Sequence, residues 1–149
     1  MLHFPTKNSQ PKFSVTDRSR GFIKPLVLVV EDQEINADLL RQLLHKVGIC
    51  CAWARNGAEA VEMFLEASPG TFQAILMDIQ MPVMDGIAAT RVIRGLPRFD
   101  AALVPIIATT ALHGQEEKKK FYQAGMNGYM GKPYSHEKLI AALQKHALA

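Results

Sequence analysis

Residues 26–48 read LVLVVEDQEINADLLRQLLHKVG, and this stretch decides the fold class. Its first five residues form a continuous aliphatic run, which is typical of a strand buried on both faces. An apolar stripe at helical spacing follows and stops at Gly48, which predicts an amphipathic helix that ends at a glycine. A strand followed directly by a helix is the repeating unit of a parallel α/β sheet.

The same alternation continues along the chain. We predict strands at residues 49–54, 74–77, 105–108 and 128–130, with helices at 86–94, 115–124 and 135–146 and one from Asn56 to the stop at 68–70. Five strands alternating with five helices predict a doubly wound, five-stranded parallel sheet in the order 2-1-3-4-5. We place this domain at residues 25–149. Residues 1–24 contain prolines and no sustained periodicity, so we interpret them as a flexible N-terminal extension or linker.

Composition and charge exclude several classes of protein. The 149 residues are 48% hydrophobic and 21% charged, as in ordinary soluble domains. The net charge of +3 arises in residues 1–24, which hold five basic side chains and one acidic side chain. Since a nucleic-acid binder carries such charge on a folded face, we expect no nucleic-acid binding by the domain. The apolar runs are too short to cross a bilayer and no secretory signal is evident, so we expect a cytoplasmic protein without membrane contact.

Chemically active side chains stand where the predicted strands end. Glu31 and Asp32 follow the first strand, and Asp78, Thr110 and Lys132 follow the third, fourth and fifth. Each has a plainer explanation, such as Asp32 capping the next helix. Separate explanations do not account for all five residues standing at successive strand ends. The carboxyl ends of parallel strands meet at one edge of the sheet, where ligands bind. We therefore expect these five residues to share one pocket.

The residue types in this pocket indicate phosphoryl chemistry. Three carboxylates at close range raise one another's pKa values, and Mg²⁺ relieves that repulsion through oxygen ligands. Mg²⁺ commonly takes its remaining ligands from water and phosphate. Asp78 is then the candidate nucleophile, Thr110 a hydrogen-bond donor to a phosphoryl oxygen and Lys132 a point charge for another.

Four segments of the chain resemble the response-regulator receiver family, in the family's order and spacing over about residues 25–149. They are VVEDQEIN (29–36), MDIQMPVMDG (77–86), PIIATTA (105–111) and AGMNGYMGKP (124–133). The amino-acid sequences of these segments are most similar to those of receivers in hybrid sensor histidine kinases. The resemblance implies the flavodoxin-like fold and a role in two-component signal transduction.

The resemblance also implies a specific role for each residue of the pocket. Asp78 is implied to be the phospho-acceptor and to bind Mg²⁺ together with Asp32. Glu31 is implied to assist through water, and the backbone carbonyl of Gln80 to complete the protein ligands. Lys132 is implied to contact the phosphoryl group.

The implied partner is a histidine kinase or a histidine phosphotransfer protein, which presents a phosphohistidine. The domain is implied to catalyse its own phosphorylation and dephosphorylation without turning over a small molecule, either alone or as a fragment of a histidine kinase. Thr110 and Tyr129 are implied to form a switch pair. Phosphorylation is then expected to alter the face made by the helix at 115–124, the strand at Tyr129 and the helix at 135–146.

Two other functions use the same kind of fold. An aspartate-based phosphatase of the haloacid dehalogenase type needs a second aspartate two residues after the nucleophile, where this chain has Gln80. A phosphorylation-independent binding module is the other alternative, and it predicts a pocket that lacks some of these residues. A phosphatase assay with a generic phosphomonoester tests the first alternative, and phosphorylation by a small phosphodonor in the presence of Mg²⁺ tests the second.

Overall fold

The computed structural model describes residues 15–17, 22–111 and 114–147. Five strands form a parallel sheet: β1 (Leu26–Val30), β2 (Cys50–Ala54), β3 (Ala74–Asp78), β4 (Ile106–Thr110) and β5 (Gly128–Gly131). The described helices are α1 (Glu34–Lys46), α2 (Gly57–Glu66), α3 (Gly86–Arg94), α4 (Phe99–Leu103), α5 (Gln115–Ala124) and α6 (His136–His146). The strands lie in the order β2-β1-β3-β4-β5, and every neighbouring pair is parallel. This order confirms the predicted doubly wound topology.

Helices cover both faces of the sheet, as its largely apolar strands require. On one face α1 and α6 contribute the buried side chains of Leu44 and Leu143. On the other face α2, α3 and α5 contribute Phe64, Ile93 and Phe121. In the described part of the chain no helix is both long and apolar enough to cross a membrane.

Local capping signals set several helix ends. The Asn56 side chain accepts a hydrogen bond from the Glu59 amide at 2.9 Å, and the Ser135 hydroxyl accepts one from the Lys138 amide at 3.2 Å. Both residues are of the polar types that favour the N-cap position of a helix. The helix α5 ends at Gly125, whose φ of 107° is a left-handed conformation that glycine adopts without strain.

One helix was not predicted. The helix α4 is a single turn, and its sequence carries no periodic signal. Arg98 and Asp100 hold it through two contacts of 2.9 Å, Nε to Oδ1 and Nη2 to Oδ2. The Gly70 amide also donates to Asp100 Oδ2 at 3.0 Å. The hydrogen bond from Arg98 lowers the pKa of Asp100 below its usual value, so α4 is held by a charged pair and by a contact from a distant loop.

A second addition lies in the N-terminal segment. Residues Val15–Asp17 and Phe22–Lys24 pair antiparallel as a two-stranded sheet, which the sequence patterns did not predict. Residues 1–14 and 18–21 lie outside the described residues. The division of the chain at residue 25 therefore stays a prediction.

Candidate phosphorylation site

The sheet brings the predicted carboxylates together at its carboxyl edge. Glu31 and Asp32 follow β1, and Asp78 ends the neighbouring strand β3. One carboxylate oxygen from each of these three residues lies within 4.8 Å of the other two. This spacing brings three potential oxygen ligands to one point, as the sequence predicted.

Asp78 lies beside the other two carboxylates and contacts Lys132. Its side chain is 4% exposed, and Lys132 Nζ donates to its Oδ1 at 3.0 Å. Burial and the negative charge of Glu31 raise the pKa of Asp78 to about 7, and the hydrogen bond from Lys132 opposes that rise. In the absence of a cation the carboxyl therefore keeps its proton to a higher pH than an exposed aspartate does. A positive ion at this point favours the ionised, nucleophilic form.

Glu31 is fully buried and is held by three donors. The Tyr134 hydroxyl donates to Oε2 at 3.0 Å, and the Gln33 amide donates to Oε1 at 3.2 Å. Lys132 Nζ is 3.4 Å from the same Oε2, farther than it is from Asp78. One lysine thus bridges two buried carboxylates, and it lies closer to the predicted phospho-acceptor.

Asp32 does not cap the helix that follows it. The N-cap of α1 is Gln33, and its side chain makes no capping hydrogen bond. Asp32 is the most exposed member of the acidic cluster. The plainer explanation of Asp32 as a helix cap is therefore wrong, and its carboxylate remains on the open side of the pocket.

The loop between β3 and α3 is tightly folded over the pocket. Val83 has a φ of 70°, and the Met84 amide donates to the Pro82 carbonyl at 2.8 Å, which closes a γ-turn. A β-branched residue with positive φ is uncommon and strained. The Gly57 amide donates to the Met84 carbonyl at 3.0 Å, which ties the loop to α2. Gln80 lies exposed on this loop, two residues beyond the phospho-acceptor.

Gly86 lets the same loop approach β3 closely. A Cβ atom at this glycine would lie 2.1 Å from the Asp78 carbonyl oxygen and 2.9 Å from Met77 Cγ. The Gly86 amide also donates to the Ile79 carbonyl at 3.0 Å. The absence of a side chain at Gly86 therefore sets the path of the backbone that carries Asp78.

The two predicted switch residues lie on adjacent strands. Thr110 ends β4 and is buried, whereas Tyr129 on β5 is half-buried. Tyr129 pairs with Ala108, two residues before Thr110, so the two side chains point to the same face of the sheet. Lys118 Nζ from α5 lies 4.7 Å from the centre of the Tyr129 ring. The structure thus brings this pair together with α5.

Two contacts at the site were missed by sequence reasoning. Tyr134 lies 103 residues from Glu31 in sequence, and only the turn after β5 brings its hydroxyl to that carboxylate. Trp53 Nε1 donates to the Glu31 carbonyl at 2.8 Å and so fixes the backbone at the end of β1. The sequence feature that could have indicated Tyr134 is its position two residues after Lys132, which is itself a predicted site residue.

Known proteins share this fold. A chemotaxis protein, CheY of Halobacterium salinarum, is 42% identical over 78% of this chain and 92% of its own length. A second relative is the receiver domain of the sensor histidine kinase PA1611 of Pseudomonas aeruginosa, which was solved with magnesium in its active-site cleft. It is 35% identical to this chain with a TM-score of 0.74, and the match covers 85% of this chain and 99% of that one. The Saccharomyces cerevisiae Ssk1 receiver domain, solved with the phosphotransfer protein Ypd1, is 37% identical with a TM-score of 0.73 (83% and 89% covered).

Longer relatives include hybrid histidine kinases. The chain is 34% identical to hybrid signal transduction histidine kinase L of Dictyostelium discoideum over 93% of this chain, yet it spans only 8% of that kinase. The family model for the response regulator receiver domain matches residues 27–144, which include the whole acidic cluster, Thr110 and Lys132. With this match and the parallel sheet that carries these residues, the chain belongs to the response regulator receiver domain family of two-component systems.

Proposed function

We propose that this domain accepts a phosphoryl group from a phosphohistidine onto Asp78. The observation that carries the proposal is the environment of Asp78: a buried carboxylate hydrogen-bonded by Lys132 and adjacent to two further carboxylates. The partner is a histidine kinase or a histidine phosphotransfer protein. The solved pair of the Ssk1 receiver with Ypd1 supports a partner of that kind.

The residues present fit a magnesium ion. Oxygen ligands within 4.8 Å of one another suit a hard cation. Burial and the negative charge of Glu31 raise the pKa of Asp78, and a nearby positive charge would favour its ionised form. We propose that Asp32 and Asp78 are direct ligands, that Glu31 assists through water and that the Gln80 carbonyl completes the protein set. When bound, Mg²⁺ supplies charge neutralisation at the phosphoryl oxygens.

The transfer is a displacement at phosphorus. An ionised Asp78 oxygen attacks the phosphorus, the bond from phosphorus to the imidazole nitrogen breaks, and the imidazole leaves with that electron pair. Lys132 moves its ammonium group toward the phosphoryl oxygens, and Thr110 donates a hydrogen bond to one of them. The product is an acyl phosphate on Asp78, which water later hydrolyses to restore the carboxylate. The domain thus catalyses its own modification and turns over no small molecule.

The output is a change of the switch pair. The phosphoryl group offers Thr110 a charge-assisted hydrogen bond, and movement of Thr110 toward it opens space for the ring of Tyr129. The surface affected is formed by α5, β5 and α6. We propose a cytoplasmic location, where a kinase domain and ATP are available, for either a stand-alone receiver or a segment of a hybrid kinase.

The experiment uses phosphoramidate, a small donor whose phosphorus–nitrogen bond resembles that of phosphohistidine. Intact-mass measurement with Mg²⁺ should show one added phosphoryl group, and EDTA should prevent its addition. A phosphorylation-independent module would remain unmodified under both conditions. A phosphatase would instead release phosphate from a generic phosphomonoester catalytically, without the lasting mass increase.

A further inference from the structure

The Tyr134 hydroxyl is a buried polar group that the proposed chemistry leaves without a role. Tyr134 is 8% exposed, and its ring packs in the core with Leu139 and Leu143. Its hydroxyl donates to Glu31 Oε2 at 3.0 Å, a contact buried at both ends. A phenylalanine would fill the same core space. The hydroxyl is therefore explained by what it does to Glu31.

We infer that Tyr134 is a positioning residue for the magnesium site, which acts by fixing the Glu31 carboxylate. This inference rests on the proposed function, because it concerns how the acidic cluster is held for a cation. It adds Tyr134 to that site as the residue that holds the Glu31 carboxylate throughout the reaction. Lys132 cannot hold Glu31 throughout, because its ammonium group also serves the phosphoryl group.

Lys132 is a poor permanent partner for Glu31. Its ammonium group lies 3.4 Å from Glu31 Oε2 and 3.0 Å from Asp78 Oδ1, so its shorter contact is with Asp78. In the proposed transfer the ammonium moves to the phosphoryl oxygens. Without the Tyr134 hydroxyl, the fully buried Glu31 carboxylate would then have no side-chain donor and would incur a large desolvation cost. The Tyr134 hydroxyl remains in place and prevents this.

The hydrogen bonds of Glu31 also leave room for metal-bound water. Oε1 accepts from the Gln33 amide and keeps a second lone pair, whereas Oε2 accepts from Tyr134 and also contacts Lys132 at 3.4 Å. Donors to a carboxylate beside a metal set its orientation and are commonly as important as nearby ligands. Because each oxygen has its own donor, rotation of the Glu31 carboxylate would break at least one of these hydrogen bonds.

Thr109 extends this arrangement by one residue. Its hydroxyl is buried, interacts with the Tyr134 hydroxyl, and has no partner at full hydrogen-bond distance and angle within the described residues. Thr109 pairs with Asp78 in the sheet, so it stands beside the phospho-acceptor on the next strand.

The test removes only the hydroxyl. Tyr134→Phe keeps the ring and its packing, and Tyr122→Phe makes the same change on a half-exposed side chain of α5. Mg²⁺ is titrated at fixed pH and ionic strength, with Trp53 fluorescence as the signal, because the Trp53 ring bonds to the Glu31 backbone. We expect Tyr134→Phe to raise the Kd for Mg²⁺ about tenfold and Tyr122→Phe to leave it unchanged.

A double-mutant cycle separates positioning from a general packing role. If Tyr134 acts through Glu31, Tyr134→Phe should change the Mg²⁺ affinity by less than about twofold when Glu31→Gln is already present. A Kd in Tyr134→Phe within about twofold of the parent would overturn the inference, and so would an undiminished effect in the Glu31→Gln background. Failure of the proposed function looks different, because the parent itself would then show neither Mg²⁺ saturation nor phosphorylation, which overturns both.

Discussion

At the scale of single residues, the protonation of Asp78 dominates the behaviour of the site. Its carboxyl is buried beside Glu31, and these two causes raise its pKa to about 7, against about 4 for an aspartate in an unfolded chain. Between these two pKa values the folded state holds a proton that the unfolded state has released. The free energy of unfolding therefore falls as the pH rises through this range.

We predict that Asp78→Asn removes this pH dependence. With EDTA present, the parent should lose about 1–3 kcal/mol of unfolding free energy between pH 4 and pH 8 relative to the variant. The Asp78→Asn variant should be the more stable protein at pH 8. Urea denaturation at a series of pH values measures the difference. Asp85→Asn is the matched control, since it alters an exposed carboxylate, and equal slopes in all three proteins would contradict the prediction.

Sequence reasoning identified the charged residues of the site because each follows a strand in a predicted parallel sheet. Glu31, Asp32, Asp78 and Lys132 stand in that position, and the structure brings them together. The hydroxyl of Tyr134 was not identified, because its contact depends on the three-dimensional path of the chain after β5. Strand ends are local features, whereas a hydrogen bond between residues 103 apart is not.

At the scale of elements, the loop from β3 to α3 holds Asp78 in place. It combines the positive φ of Val83 with the close approach of Gly86 to the Asp78 carbonyl. Neither feature follows from strand or helix periodicity, so the sequence predicted the two flanking elements but not the geometry between them. The helix α4 escaped prediction for a related reason, since the contact from Gly70 to Asp100 that holds it spans 30 residues.

We predict that Gly86→Ala destabilises the fold by about 2–4 kcal/mol, because the new methyl group would overlap the backbone of β3. Gly95→Ala is the control: it ends the same helix, and a Cβ there would meet nothing closer than 3.5 Å. That variant should stay within about 1 kcal/mol of the parent. Denaturation midpoints compare the two. Similar stability for both variants would show that the close approach at Gly86 does not constrain the loop.

The proposed switch of Thr110 and Tyr129 also acts at the scale of elements, through α5, β5 and α6. With a beryllofluoride mimic of the phosphoryl group, amide chemical shifts should change at Tyr129 and along α5 and α6, including Lys118, whose ammonium lies over the Tyr129 ring. In Thr110→Ala these distant changes should be lost, because the hydroxyl that responds to the phosphoryl group is absent. The proposed switch is wrong if the parent's changes stay confined to the Asp78 pocket, or if Thr110→Ala transmits them equally well.

At the scale of the whole molecule, the alternation of apolar strands and amphipathic helices was sufficient to predict the sheet order. The parallel β-α repeat and right-handed crossovers leave few other arrangements. The pairing of Val15–Asp17 with Phe22–Lys24 was not predicted, because strands of three residues are too short for a periodic signal. The topology matters for function because it joins charged residues that end or follow three strands, β1, β3 and β5, into one cluster.

Binding of Mg²⁺ should therefore stabilise the entire domain. A ligand present at one hundred times its Kd adds about 2.7 kcal/mol to the free energy of unfolding when it binds only the folded state. We predict a rise of this size for the parent in saturating Mg²⁺, and little or none for Asp32→Ala. Thermal or urea unfolding with Mg²⁺ and with EDTA gives the comparison. An undiminished rise in Asp32→Ala would place the cation elsewhere.

The central claim is that Asp78 receives the phosphoryl group, and the most direct measurement is intact-mass analysis after phosphoramidate and Mg²⁺ treatment. The parent and the Asp78→Asn variant are compared with Asp85→Asn, whose Asn side chain retains the capping function of Asp85 at the start of α3. We predict one added phosphoryl group on the parent and on Asp85→Asn, and none on Asp78→Asn, since its amide is a poor nucleophile. Phosphorylation of Asp78→Asn at the parent's rate would contradict the account.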